Sequence, residues 1–244
     1  MNKISAIVLA AGDGTRMNLD YPKVLCKLNG TDIISLIIGT LHSIELKDII
    51  LVVGYKHEMI REKVGGAVKY VLQKELLGTG HAVSQAESIY KEINENVLIL
   101  YGDSPLITSM TLKKIIDSYL NSNSDLALLT VFIDDPTGYG RIIRDKNNKI
   151  IKIIEEKDAT AEQKKIKEVN TGFYCFKKEK LFRSLKNIRS DNAQKEYYLT
   201  DVIADFVQKN YRISSVETGD PMETMGINTR ADMEKAILYY KSRG

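Results

Sequence analysis

The chain has 244 residues, 43% of them hydrophobic, which is enough for a substantial core and excludes a disordered polymer. A formal net charge of +3 from 35 basic and 32 acidic residues is too even to point to nucleic acid or an anionic membrane surface as the partner. The two cysteines, Cys26 and Cys175, lie far apart in apolar settings and read as buried free thiols in a reducing cytoplasm.

In chain order, "ISAIVLA" (4–10) is the first expected strand. It stops too soon, and breaks into glycines and charges too abruptly, for a signal peptide or a membrane span. "DIILVVG" (48–54), "AVKYVL" (67–72) and "NVLILYG" (96–102) follow as further strands, nearly all apolar, as strands covered on both faces are. Residues 32–43, 56–64 and 79–92 carry helical spacing between them. Such alternation predicts a largely parallel sheet with helices on both sides. A helix is expected in "TLKKIIDSYL" and a strand over 125–134. The pattern then changes, because 138–156 reads as a hairpin turning at "DKNNK". Strands at 170–176 and 212–217 and helices at 179–186, 197–209 and 229–242 complete the order. With four prolines and no repeat or linker, one continuous domain over 1–244 is expected.

The glycine loop "AAGDGTR" follows the first strand and so belongs at the carboxyl edge of the sheet, where open parallel sheets bind ligands. Gly12 and Gly14 let backbone amides approach an anion, and Arg16 and Lys23 add formal positive charge. Asp13 must then point away. No stretch supplies the P-loop spacing, and Met17 stands where a dinucleotide fingerprint needs its third glycine. A solvated turn is the other reading of this segment taken alone.

Asp103, in "LYGDSPL", falls just beyond the fourth strand on the same edge, suited either to Mg²⁺ beside phosphates or to a plain turn. Gln73, before "GTGHA", offers an amide donor and acceptor for the edge of a nucleobase, and the Gly78–Gly80 backbone can approach a ring or sugar. Thr79 and Asn228 are equally suited to capping helices, Tyr197, Tyr198 and Leu199 to packing one helix face, and His81 has no assigned role. Gly140, Glu155 and Asn170, near strand ends in the second half, suit sugar hydroxyls but taken singly are turn residues or solvated charges.

The ordered set "LAAGDGTRM" with "PKVL", "QKELLGTGHA", "LYGDSPL", "GYGRI", "EEKDA", "VNTGFY", "NAQKEYYLTD" and "GINTRAD" spans nearly the whole chain. It resembles the uridylyltransferase domain of the bacterial bifunctional N-acetylglucosamine-1-phosphate uridyltransferases, within the sugar-nucleotidyltransferases. The resemblance implies an α/β fold with a Rossmann-like, mixed and mostly parallel sheet, and a nucleotide-binding half (about 1–108), a sugar-binding half (about 109–228) and a C-terminal helix (229–242). It implies a reaction of UTP with a sugar-1-phosphate, Mg²⁺ as cofactor, a cytoplasmic setting, and neither nucleic acid nor membrane as partner. Leu9, Ala10, Ala11 and Gly12, with Gly14, would line the nucleotide site, and Arg16 and Lys23 would act on the phosphates. Gln73, Gly78 and Thr79 would read uracil. Tyr101, Gly102 and Asp103 would border the reacting phosphates, with Asp103 and Asn228 holding the metal. Gly140, Glu155 and Asn170, with Asn228, would hold the amino sugar. The family's left-handed β-helix and its hexapeptide repeat are not in this sequence, so acetyl transfer is not expected of it and trimerisation is left open. Another nucleotidyltransferase, such as the cytidylyltransferase of the isoprenoid pathway, a non-catalytic nucleotide-sugar sensor and a nicotinamide dehydrogenase are the competing readings. Val24, where that cytidylyltransferase carries Gln, counts against the first.

Overall fold

The computed structural model describes residues 4–12, 14 and 17–243. Arg16 and Asp13, both singled out in the sequence, lie outside the described residues.

Among the described residues the main sheet is built on strand β1 (Ile4–Ala10). A two-stranded ribbon, β2 (Lys27–Leu28) and β3 (Thr31–Asp32), precedes helix α1 (Ile33–Ser43). Strand β4 (Ile49–Val53), helix α2 (His57–Val64) and strand β5 (Lys69–Leu72) carry the chain outward on one side of β1. After helix α3 (Thr79–Ser84) the chain returns as β6 (Asn96–Tyr101), on the other side of β1. β1, β4, β5 and β6 pair in parallel, with Val8 beside both Leu51 and Leu100. The reversal of direction at β1/β6 makes a topological switch point, and a crevice opens outside the carboxyl ends of strands that part there.

Helix α4 (Ser109–Asn121) leads to β7 (Leu126–Phe132), and β8 (Arg141–Arg144) and β9 (Ile150–Ile154) form the expected hairpin. A short helix α5 (Ala161–Lys164) precedes β10 (Glu168–Lys177), which inserts antiparallel between β6 and β7. Helices α6 (Lys178–Leu185) and α7 (Asp201–Gln208), strand β11 (Ile213–Glu217) and helix α8 (Arg230–Ser242) complete the order. The sheet is therefore mixed and mostly parallel.

Alternating side chains divide the core in two. Ala6, Val8 and Ala10 face a cluster with α1, α2 and α4, including Ile37, Leu41, Ile60 and Leu112. Ile7 faces the other, with Val83, Phe182, Ile203 and Phe206 from α3, α6 and α7. Both cysteines are buried and unpaired. No helix among the described residues is long and apolar enough to cross a membrane.

Two expected helices are shorter than their periodicity suggests. The 79–92 helix ends as α-helix at Ser84 and tightens to a 3₁₀ turn over Gln85–Glu92, where Ile89 leaves helical angles. The helix expected from 197 begins only at Asp201. Tyr197, Tyr198 and Leu199 form an irregular segment whose backbone is engaged elsewhere. The Tyr197 N–H donates to Leu77 O (2.8 Å), the Gly80 N–H to Tyr197 O (2.7 Å) and the Leu199 N–H to Thr79 Oγ1 (3.0 Å). Pairing with the 77–80 loop displaces the helical ladder.

Candidate active site

A cleft of about 380 Å³ lies at the carboxyl ends of β1 and β6. Leu9 to Gly12 form its floor, Lys23 and Asp103 stand at one end, and Gln73, Leu76, Gly78 and Thr79 form one wall. Tyr101, Glu155, Gln194, Glu196 and Tyr198 close the other end. Residues from six distant segments thus converge where the strand order reverses.

Lys23 opens a 3₁₀ turn (Lys23–Leu25) just after Pro22, and Gly14, at φ +68°, backs onto its stem. Its Nζ donates to Asp103 Oδ2 at 2.6 Å and to Asn228 Oδ1 at 2.8 Å. The Lys23 and Asp103 side chains are only 11% and 22% exposed, so water screens the pair little. The backbone holds Asp103 beside Asn228 and against the cleft floor: the Ile227 N–H donates to Asp103 O (2.8 Å) and the Gly102 N–H to Leu9 O (2.8 Å). Asn228 does not cap the following helix. Thr229 does, in a capping box with Asp232, whose Oδ2 also accepts from the Asn228 N–H at 3.0 Å. The Asn228 side chain is thereby turned toward Lys23.

This arrangement already grips a cation. A carboxylate and an amide oxygen hold the Lys23 ammonium, the donor set Mg²⁺ takes when substrate phosphates and water supply the rest. Among the described residues no three His, Cys, Asp or Glu converge into a cage made by protein alone.

Gln73 continues β5, its N–H donating to Val53 O at 2.8 Å, and is 3% exposed in the cleft wall. Its Nε2 lies 3.2 Å from Gly78 O and 3.1 Å from His81 Nδ1. Thr79 does not cap α3 through its side chain. Its hydroxyl accepts from Leu199 and so ties the wall to the segment carrying Tyr198.

At the other end Glu155 accepts from the Thr200 hydroxyl at 2.8 Å. Burial pushes its carboxyl above the usual range, the Thr200 bond opposing and Asp158 and Glu196 adding to the rise. Burial raises Asp201 too, to about 6, helped by the charges of Glu155, Asp158 and Asp191. Gly140 lies against Glu155, where a Cβ would come within 3.3 Å of Oε2. Asn170 stands behind the wall, its Oδ1 accepting from Tyr174 Oη at 2.8 Å. Tyr174 in turn bonds Tyr101, whose phenol burial keeps protonated. The Tyr101 ring rests on the bulge in β10: a Cβ at Gly172 (φ +83°) would stand 2.2 Å from Tyr101 Cε2.

Comparison with known proteins gives this site its context. The model of the nucleotidyl transferase family matches residues 5–220. The chain belongs to the nucleotidyl transferase family. It is 43% identical to the bifunctional protein GlmU of Caldanaerobacter subterraneus subsp. tengcongensis and 40% identical to that of Brevibacillus brevis, each over 243 residues. Those alignments cover all of this chain and 53% of each relative, so the chain spans about half their length. Among solved structures, a UDP-glucose pyrophosphorylase complexed with UDP-glucose superimposes with a TM-score of 0.79 over 100% of both chains at 16% identity. That likeness concerns the fold.

The sequence-predicted residues divide into two sets within this family fold. Leu9, Ala10, Ala11, Gly12, Lys23, Gln73, Gly78, Thr79, Tyr101, Asp103 and Glu155 all line the cleft. Gly14, Gly102, Gly140, Asn170 and Asn228 stand behind it and reach it through the contacts above. Sequence reasoning assigns no site role to Gln194, Glu196 or Thr200, and reads Tyr198 as part of a helix face. The crowding of polar groups before Leu199 was the available signal.

Proposed function

We propose that the chain is a sugar-1-phosphate uridylyltransferase, joining UTP and N-acetylglucosamine-1-phosphate to UDP-N-acetylglucosamine with release of pyrophosphate. The relatives named GlmU match over their nucleotidyltransferase portion and support this reading. The observation that carries it is the convergence of Lys23, Asp103 and Asn228 at the mouth of a cleft whose far wall bears a buried glutamine amide. We read residues 1–244 as one nucleotidyltransferase unit, because a strand of its second half, β10, is inserted beside β6 of the first.

In this reading the Leu9–Gly12 floor receives the nucleotide, Gln73 with Gly78 and Thr79 meets the uracil, and Lys23 faces the phosphates, a role the sequence also proposes for Arg16. Glu155 receives the sugar, with the Gly140 turn and Asn170 supporting that end from behind the wall. An oxygen of the sugar phosphate attacks the α-phosphorus of UTP in line. A new P–O bond forms as the bond to the bridging oxygen breaks, and the electron pair leaves with pyrophosphate. Positioning and charge stabilisation dominate such transfers. No side-chain base is required, since a phosphate monoester with a second pKa near ~6 is already largely ionised at neutral pH. Divalent-metal use is general in nucleotidyltransferases, and Mg²⁺ held by Asp103 and Asn228 would neutralise and orient the phosphates. Lys23, released from that pair, would then turn its ammonium to the charge gathering on the leaving oxygens. The substrates and the reducing setting suited to two buried thiols fit a cytoplasmic enzyme.

Pyrophosphate release, measured with UTP and either N-acetylglucosamine-1-phosphate or glucose-1-phosphate, tests the proposal. Rapid release with the amino sugar is expected. No release with any pairing of nucleoside triphosphate and sugar phosphate would leave a binding protein on the same fold.

A further inference from the structure

The wall of the cleft holds a proton arrangement that bears on which base can bind. One end of the Gln73 side-chain amide lies 3.2 Å from the Gly78 carbonyl oxygen and 3.1 Å from His81 Nδ1. A carbonyl oxygen only accepts, so this end is the NH₂. An NH₂ only donates, so His81 Nδ1 accepts, and the neutral imidazole carries its proton on Nε2.

His81 Nε2 in turn faces the Gln85 amide at 3.0 Å. As oriented, Gln85 directs its Nε2 there and also at the His81 carbonyl, 3.1 Å away. Two donors cannot face each other, so one amide must turn. Gln85 is half-exposed; its half-turn gives Oε1 to the imidazole N–H, and the side chain swings clear of the His81 carbonyl oxygen, which keeps the Ser84 hydroxyl as donor at 2.8 Å. Turning Gln73, itself only 3% exposed, would instead press its Oε1 against the Gly78 oxygen with no room to move away, the costlier choice. With the NH₂ of Gln73 engaged on both partners, its Oε1 is the group left for the cleft.

We propose that His81 is the positioning residue for base choice: its Nε2–H tautomer holds Gln73 with an acceptor toward the nucleobase. Uracil offers a donor, its imide N3–H, at the matching position. Cytosine offers an unprotonated N3, which meets that acceptor with a lone pair and is rejected. The 5-methyl group of thymine leaves the imide edge unchanged, so this contact does not select against it. The inference rests on the uridylyltransferase reading of the site.

The test is pyrophosphate release from UTP, CTP and 5-methyluridine triphosphate in the wild type, His81→Leu and His81→Asn. Leucine removes one of the two acceptors that hold the Gln73 NH₂ and leaves only the Gly78 carbonyl, so the UTP-to-CTP ratio of kcat/KM should shrink by about tenfold at most, the size of one hydrogen bond. The shift should sit mainly in KM, because the base is remote from the reacting phosphates. Asparagine, whose Oδ1 stands where Nδ1 stands, should restore the ratio, and 5-methyluridine triphosphate should follow UTP in all three proteins. A ratio unchanged in His81→Leu, with both nucleotides falling together, overturns the proposal and leaves His81 a structural residue. A ratio that collapses equally in His81→Asn overturns it too. A wild type that releases nothing from UTP removes the uridylyltransferase reading, and this inference with it.

Discussion

The two ends of the cleft are held by different physics. At the end proposed for the phosphates Lys23, Asp103 and Asn228 come from segments 80 and 205 residues apart and meet through charge-assisted bonds at 2.6 and 2.8 Å. At the end proposed for the sugar a neutral chain runs from Tyr101 through Tyr174 to Asn170, and the nearby acids Glu155 and Asp201 are pushed toward their protonated forms by burial. One end is a charge cluster that a substrate must open. The other is a preformed surface that a substrate need only cover.

If so, the phosphate end should be expendable for folding and indispensable for turnover. Asp103→Ala removes the carboxylate proposed to hold the metal, and Lys23's partner, from a strand end outside the core. We expect turnover to fall about 10²-fold or more with the fold kept, the unfolding midpoint dropping only by what the stranded Lys23 ammonium costs. Normal turnover of that variant at limiting Mg²⁺ would sink the assignment. Lys23→Met sharpens the point from the other side. It should cost about as much in kcat, while equilibrium binding of Mn²⁺ to the protein alone becomes tighter, because the ammonium no longer competes for Asp103 and Asn228. Weaker metal binding in Lys23→Met would show that the pair does not hold the cation.

The sugar end should show the opposite balance. Gly172→Ala forces a methyl group into the Tyr101 ring at a left-handed backbone position, and strain and overpacking together should cost about 2–4 kcal/mol of stability. The KM for the sugar phosphate should rise more than the KM for UTP, since Tyr101 leads to Asn170. A variant as stable as the wild type would mean that the bulge in β10 yields without cost.

Much of this contrast could be read from the sequence, because the phosphate end depends on strand ends. Ala10 and Tyr101 end apolar runs, so the loops that follow fall on one edge of any parallel sheet, and the glycine loop and Asp103 arrive there together. The insertion of antiparallel β10 between β6 and β7 could not be read, since strand order is a long-range choice with no local signature. The segment 197–200 misled for the same reason: its periodicity is helical, but its backbone groups pair with Leu77, Thr79 and Gly80, over a hundred residues away. His81 was passed over because a lone histidine on a helix carries no signal until Gln73 is seen beside it. Asn228 was ambiguous until Thr229 took the cap and left it to face Lys23.

The smallest effect separates the two ends by pH. Asp201 is raised to about 6 from an ordinary value near 3.8, first by burial and then by Glu155, Asp158 and Asp191. The folded state therefore holds this proton more tightly than the unfolded chain does. The stability it contributes is fully present below about pH 4 and is lost as pH rises through about 6, where the buried carboxylate must ionise among other acids. Asp201→Asn keeps the shape and removes the ionisation. A two-unit shift is worth at most about 3 kcal/mol, and because Asp201 is partly exposed we expect about 1 kcal/mol after solvent screening. The variant should match the wild type near pH 4 and be the more stable at pH 8, as read from urea unfolding at each pH. Asp103, at the other end, sits against an ammonium rather than other carboxylates, so Asp103→Asn should show no such gain at pH 8. Equal pH profiles for the two asparagine variants would erase the distinction between the ends.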